Sequence, residues 1–155
     1  MDQILEFLRE IGLEISIGEI EGSTFLPGMR IVGGGLRVDP ARLTYPGDLL
    51  HEAGHLAVMR PERRALADGE MDGDGGEEMA AIAWSYAAAV HLGMDPGVVF
   101  HDAGYKDGAR ALLTNFAAGR YVGLPMLVWL RMTVAEEYPA MRCWLTPGPD
   151  DAEAA

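Results

Sequence analysis

Residues 33–55, GGGLRVDPARLTYPGDLLHEAGH, contain a predicted strand, a short connection and a predicted helix. The strand covers residues 36–38 and ends before Pro40, because proline cannot donate to a strand ladder and restricts the residue that precedes it. The helix is expected to begin at a cap formed by Gly47 and Asp48. Its apolar spacing continues to about Arg60, and the proline that follows is expected to close it.

The segments on either side of this stretch predict an α+β fold. A short amphipathic helix and two strands are expected before it. The three glycines at residues 33–35 are expected to form the turn between the second of these strands and the strand at residues 36–38. After it come an acidic, glycine-rich loop at residues 61–76, which we read as solvated, and then mainly helices. The expected helices are residues 2–11, 77–93, 106–118 and 125–138, and the other expected strands are residues 13–17 and 29–32. A small N-terminal sheet, the helix of the 33–55 stretch and a mainly helical C-terminal part therefore form one domain over residues 1–146. Residues 147–155 are expected to be a disordered tail.

The composition excludes several classes of protein. The chain has 155 residues, enough for a single core, and a net charge of −12 from 24 acidic and 12 basic residues. Such a charge repels phosphate backbones, so we expect no nucleic-acid partner. No apolar run reaches the length of a membrane span, so no membrane contact is expected. The N-terminus has no signal-peptide pattern and Cys143 is the single cysteine, which favours a cytoplasmic protein.

Residues 51–55, HEAGH, contain the candidate metal-binding and catalytic side chains. On a helix, His51 and His55 lie one turn and about 40° apart, so both imidazoles can reach one metal ion. Glu52 lies on the same side of the helix and can approach an open coordination position without being a ligand. Two neutral imidazoles and a carboxylate that takes a proton from metal-activated water are what a catalytic Zn²⁺ site requires.

A catalytic zinc ion usually has three protein ligands, and the third is expected from the next long helix. Glu77 and Glu78 open that helix, 22 and 23 positions after the second histidine. Here the sequence resembles the gluzincin-type HExxH metallopeptidases, whose third ligand lies in an E-x-x-A-[DN] pattern with an aromatic residue two positions beyond. The resemblance favours Glu78, which places Ala81 at the alanine and Trp84 at the aromatic position. Glu77 stays as an alternative that matches the alanine only.

The resemblance has one departure and one extension. Ile82 occupies the position of the Asp or Asn that orients a ligating histidine, so that support must come from elsewhere or be missing, at a cost of roughly 10–100-fold in metal affinity. The order of strand, connection and HExxH helix is similar to that of the small ImmA/IrrE-like zincins. This similarity covers roughly residues 30–92 and implies a zincin-like fold.

The motif and the resemblance together predict a zinc-dependent metallopeptidase that acts on a peptide or protein substrate. His51, His55 and Glu78 would hold Zn²⁺, and Glu52 would act as general base and then as proton donor. The alternative is a non-catalytic zincin-like regulatory or interaction module that can still bind zinc.

Three further expectations concern the surroundings of the predicted site. A chain of this size leaves little room for a deep cleft, so a substrate is expected along the strand edge beside the helix. The apolar segment 126–132 could pair with a copy of itself, which makes a homodimer possible. Five residues are unassigned candidates for stabilising an oxyanion: Tyr45, Tyr86, His91, His101 and Tyr105.

Overall fold

The computed structural model describes residues 1–69, 75–105 and 108–148, and it has the predicted α+β architecture. A small sheet forms the N-terminal part, followed by the helix that carries the HEAGH motif and a mainly helical C-terminal part. The strands are β1 (Ile15–Ile17), β2 (Met29–Val32) and β3 (Gly35–Val38). The helices are α1 (Asp2–Glu10), α2 (Asp48–Val58), α3 (Pro61–Arg64), α4 (Gly75–His91), α5 (Asp102–Tyr105), α6 (Gly108–Ala117) and α7 (Leu124–Trp129), with a 3₁₀ turn at Pro96–Val98.

The sheet is three-stranded and mixed, in the order β1-β3-β2. β1 runs parallel to β3, whereas β2 is antiparallel to β3. The β2–β3 hairpin turns at Gly33 and Gly34, whose φ values of 55° and 81° are the positive values that a type I′ turn needs at both central positions. The predicted glycine turn is therefore confirmed, except that Gly35 already belongs to β3.

Helices α2 and α4 pack against each other through small residues. Gly54 of α2 faces Ala81 of α4 so closely that a Cβ atom on Gly54 would lie 2.9 Å from the Ala81 carbonyl oxygen. The same Cβ would lie 3.3 Å from the Trp84 ring, and both Ala81 and Trp84 are fully buried. The glycine in HEAGH therefore permits backbone contact between the two helices that bear the predicted ligands.

The C-terminal end of α2 differs from the prediction. The helix ends at Val58 instead of about Arg60, and Pro61 does not close it but opens α3, where its missing N–H costs nothing. Arg64 of α3 folds back, and its guanidinium donates to the carbonyls of Leu56 (2.8 Å) and Met59 (2.9 Å). A basic side chain thus adds hydrogen bonds to the carbonyls at the C-terminal end of α2, where the Leu56 carbonyl also accepts from the Met59 amide at 3.3 Å.

The prediction of one helix over residues 125–138 is wrong. α7 ends at Trp129 because the chain turns through Arg131, which has a φ of 61°. The amide of Met132 donates to the Leu127 carbonyl, and that of Arg131 donates to the Val128 carbonyl, both at 3.0 Å. These are the two bonds of a Schellman motif, and Leu127 and Met132 are both buried beside them. The sequence gives no signal for this motif, because arginine stands at the position that glycine usually occupies.

Several predictions fall wholly or partly outside the described residues. The acidic loop includes residues 70–74, the helix predicted over 106–118 includes residues 106–107, and the tail includes residues 149–155. The division into a domain over residues 1–146 and a tail stays a prediction, as does the homodimer through residues 126–132. In the part of the chain that is described, no helix combines the length and apolar character needed to cross a membrane.

The Gly54 contact predicts that a methyl group added at this position destabilises the protein, whereas one added at an uncrowded glycine does not. Gly54→Ala should lower the free energy of unfolding by about 1–2 kcal/mol, because overpacking against the α4 backbone exceeds the gain in helix propensity of about 1 kcal/mol. Gly108→Ala is the control, because nothing lies within 4 Å of a Cβ at that position. Urea denaturation should show it to be neutral or slightly stabilising, and a Gly54→Ala protein as stable as the control would contradict the packing argument.

Candidate metal centre

His51, Glu52 and His55 of α2 form a group that could hold a metal ion. Each offers one ligand atom, and these atoms lie within 4.8 Å of one another. The i, i+4 spacing stacks the two histidines on one face of the helix, and their Nε2 atoms are 3.1 Å apart. Among the residues that the structure describes, this is where a cluster of metal-binding side chains is found.

Glu78 brings a carboxylate from α4 to the same point. Its Oε2 atom lies 3.0 Å from Nε2 of His55, and its Oε1 atom lies 3.6 Å from Nε2 of His51. Ligand atoms on a tetrahedral ion with bonds of about 2.0–2.1 Å are separated by about 3.3–3.4 Å, so these distances fit a zinc-sized ion. Two imidazole nitrogens and a carboxylate also suit the chemistry of that metal.

Glu77 points to a different partner. Its carboxylate forms a two-pronged ion pair with the Arg63 guanidinium of α3, in which the longer contact, Nη2 to Oε2, is 3.0 Å. The structure therefore places Glu78 beside the histidines and Glu77 against the arginine. The ligand role of Glu78 stays a prediction, and its neighbour has a structural contact instead.

Burial governs the ionisation of the cluster. The pKa of His51 falls to about 4, chiefly because burial disfavours the charged ring and secondarily because His55 is close. The pKa of Glu52 rises because its carboxyl is buried and faces the carboxylates of Glu78 and Asp48. The pKa of Glu78 is lowered, first by its hydrogen bond with His55. His51 is thus neutral at neutral pH, which is the form that binds metals.

The two histidines differ in what stands behind them. Nδ1 of His51 lies 2.8 Å from the hydroxyl of Tyr105, on α5. Nδ1 of His55 is buried and has no hydrogen-bond partner among the described residues. Ile82, at the position where an Asp or Asn was expected, packs in the hydrophobic core. Ile82 cannot form a hydrogen bond to either histidine ring. Tyr105 supplies such a contact for His51, and no described residue supplies one for His55.

A second polar pair joins α2 to the segment that carries Tyr105. Asp48, one turn before His51, lies 2.6 Å from Nε2 of His101, and Tyr45 stacks on that imidazole with ring centroids 4.2 Å apart. The amide of Gly104 donates to Nδ1 of His101 at 3.2 Å, so Nε2 carries the proton and donates to Asp48. Burial raises the pKa of Asp48, although its bond with His101 opposes that shift.

The other oxyanion candidates lie in aromatic clusters. His91 packs against the rings of Phe7 and Trp144, with centroid distances of 5.5 and 5.1 Å. Tyr86 packs on Phe116 at 4.5 Å. Neither His91 nor Tyr86 lines the cleft that contains the metal-binding group.

The metal-binding group lines one wall of an open cleft of about 950 Å³. The opposite wall comes from β2 and the loop before it, including Phe25, whose side chain is 78% exposed. The chain therefore forms an open cleft beside this group, and binding of a substrate along the strand edge stays a prediction. The edge of β2 is also partly occupied by the chain itself, because the amide of Gly69 donates to the carbonyl of Ile31 at 3.0 Å.

Comparison of the chain with models of known protein families, with curated proteins and with solved structures finds no match. The similarity to gluzincins therefore rests on the residues of the motif alone.

The different surroundings of the two glutamates yield a matched pair of variants. Glu78→Ala should weaken Zn²⁺ binding by more than about 100-fold, because losing only the group behind a ligand already costs 10–100-fold. Glu77→Ala should leave the affinity unchanged, since its carboxylate faces Arg63. Chelator competition measures both values, and equal losses in the two variants would contradict this assignment.

Proposed function

We propose that this protein is a zinc-dependent peptidase. The observation that carries the proposal is the convergence of three side chains from two helices. Nε2 of His51 and Nε2 of His55 are 3.1 Å apart, and the two carboxylate oxygens of Glu78 lie 3.6 Å and 3.0 Å from them, respectively. Three protein ligands that leave a further coordination position open are typical of catalytic zinc, whereas structural zinc is usually enclosed by four.

The residues of the chain divide the remaining work. A bound zinc ion would supply the Lewis acidity that polarises the scissile carbonyl and makes water reactive near neutral pH. The Glu52 carboxylate follows His51 directly and belongs to the same group of side chains. It takes a proton from the attacking water and then delivers it to the amine that leaves.

The cleft supports a polypeptide as the substrate. Its volume of about 950 Å³ lies at the upper end of the range for small-molecule sites, and its mouth is open. Apolar side chains of the loop before β2, among them the exposed ring of Phe25 and Leu26, face the metal-binding group across the cleft. A peptide would lie between the two walls, with apolar side chains against the loop and its backbone carbonyl at the metal.

A cytoplasmic location belongs to the same proposal. The single cysteine, Cys143, is free and cannot form a disulfide within the chain, which suits a reducing compartment.

A non-catalytic zincin-like module is the second candidate. The observation that favours it is Nδ1 of His55, which has no hydrogen-bond partner in the part of the chain that the structure describes, together with Ile82 at the place of a polar supporting residue. A metal ligand without support binds more weakly, and an interaction module would tolerate that loss better than an enzyme.

The role of Glu52 is tested by a nearly isosteric change. Glu52→Gln should keep stoichiometric Zn²⁺ and lose cleavage of a peptide library by about 10²–10⁴-fold, because an amide cannot accept the proton from water. Glu10→Gln, on the exposed side of α1, is the control and should cleave as the unchanged protein does.

The results separate the two candidates. Stoichiometric zinc in the unchanged protein with no cleavage of any library peptide would favour the interaction module. Cleavage that survives in Glu52→Gln would overturn the assignment of the general base.

A further inference from the structure

We propose that Tyr105 is the positioning residue that fixes the ring orientation and the tautomer of His51 as a metal ligand. The inference rests on the metal site of the proposed function and does not require peptidase activity. It concerns a residue 54 positions away from His51 in the chain.

The direction of the hydrogen bond follows from which nitrogen faces the metal site. Nε2 of His51 points toward His55 and Glu78, so Nε2 is the nitrogen available to an ion. A neutral imidazole that binds through Nε2 carries its proton on Nδ1. Nδ1 lies 2.8 Å from the Tyr105 hydroxyl oxygen, and its N–H donates to that oxygen. This hydrogen bond holds the ring with Nε2 turned to the cleft.

A tyrosine is an unusual but suitable acceptor at this position. Partners behind metal-binding histidines are most often carboxylates, backbone carbonyls or water. The phenol accepts the bond without adding a charge to a site that already holds the carboxyl groups of Glu52 and Glu78. Its ring is fixed by an edge-on contact with Phe100, at a centroid distance of 5.4 Å, so the hydroxyl is held in place.

The short helix α5 delivers Tyr105 because a second hydrogen bond fastens the same segment to α2. His101 precedes α5 and donates to Asp48, and Tyr105 ends α5 beside His51. Asp48 and His51 lie three residues apart, on one face of α2. The Gly104 amide, which donates to His101, links the two contacts within the segment. We call residues 101–105, held by these two bonds, the α5 clamp.

Tyr105→Phe tests the proposal directly. The variant keeps the ring contact with Phe100 and removes the acceptor, so the Zn²⁺ affinity measured by chelator competition should fall by about 10–100-fold. In the zinc-loaded protein, the ¹H–¹⁵N resonance of the His51 Nδ1–H should shift or vanish by exchange with water. A tyrosine that only filled space would change neither measurement.

Tyr138→Phe is the matched control. The Tyr138 hydroxyl is buried and donates to the Ala83 carbonyl at 2.8 Å, away from the cleft. Losing it should lower the urea midpoint of unfolding, because a buried hydrogen bond is removed, while the zinc affinity stays the same. If the unchanged protein binds no zinc, both the proposed function and this inference fail. If it binds zinc and Tyr105→Phe binds equally well, the role of Tyr105 alone is overturned.

The α5 clamp adds a second test, because the effects of changing His101 and Tyr105 on zinc affinity should not be additive. His101→Leu removes the bond to Asp48 and should weaken zinc binding in the unchanged background, whereas it should have no further effect on Tyr105→Phe. His101→Gln, whose amide can still donate to Asp48, should retain most of the affinity. Equal losses from His101→Leu in both backgrounds, or no loss in either, would overturn the clamp.

Discussion

Backbone contact between α2 and α4 at Gly54 sets the geometry on which the candidate metal centre depends. Gly54 lies between the two histidines of the motif, and the Ala81 carbonyl approaches it more closely than any larger residue would permit. Glu78 precedes Ala81 by three residues, so it lies one turn back on the same face of α4. The contact that fixes Ala81 therefore also fixes the distance of the Glu78 carboxylate from the histidines. A small difference in this spacing would move the carboxylate out of reach of an ion shared with α2.

Burial then determines the charge state of the side chains that this contact brings together. Desolvation keeps His51 neutral and raises the pKa of Glu52, whereas the hydrogen bond with His55 keeps the pKa of Glu78 low. A neutral imidazole is the form that can bind a metal ion, and a carboxylate with a lowered pKa stays ionised beside it.

The two histidines differ in the groups that lie behind them. The gluzincin pattern that the motif resembles has a polar residue at the position where this chain has the buried Ile82. Tyr105, from a short helix far along the sequence, occupies the equivalent role for His51, and the Asp48–His101 bond holds that helix in place. His55 has no such partner within the described residues. The two metal-facing histidines are consequently unequal, although the motif makes them look alike.

The sequence by itself determined the features that depend on neighbouring residues: the helix that carries HEAGH, the glycine hairpin between β2 and β3, and a long apolar helix that includes the two glutamates. That helix begins at Gly75, two residues before the predicted start. Periodicity and turn chemistry are local, so they are readable without the fold. The end of α7 was missed because arginine takes the left-handed position that glycine usually fills. The local pattern around Ala81 and Trp84 favoured Glu78, but only the tertiary structure decided that its carboxylate lies beside the histidines while Glu77 pairs with Arg63. The position of Tyr105 behind His51 has no local signal, because it depends on a contact 54 residues apart that packing of the whole core sets.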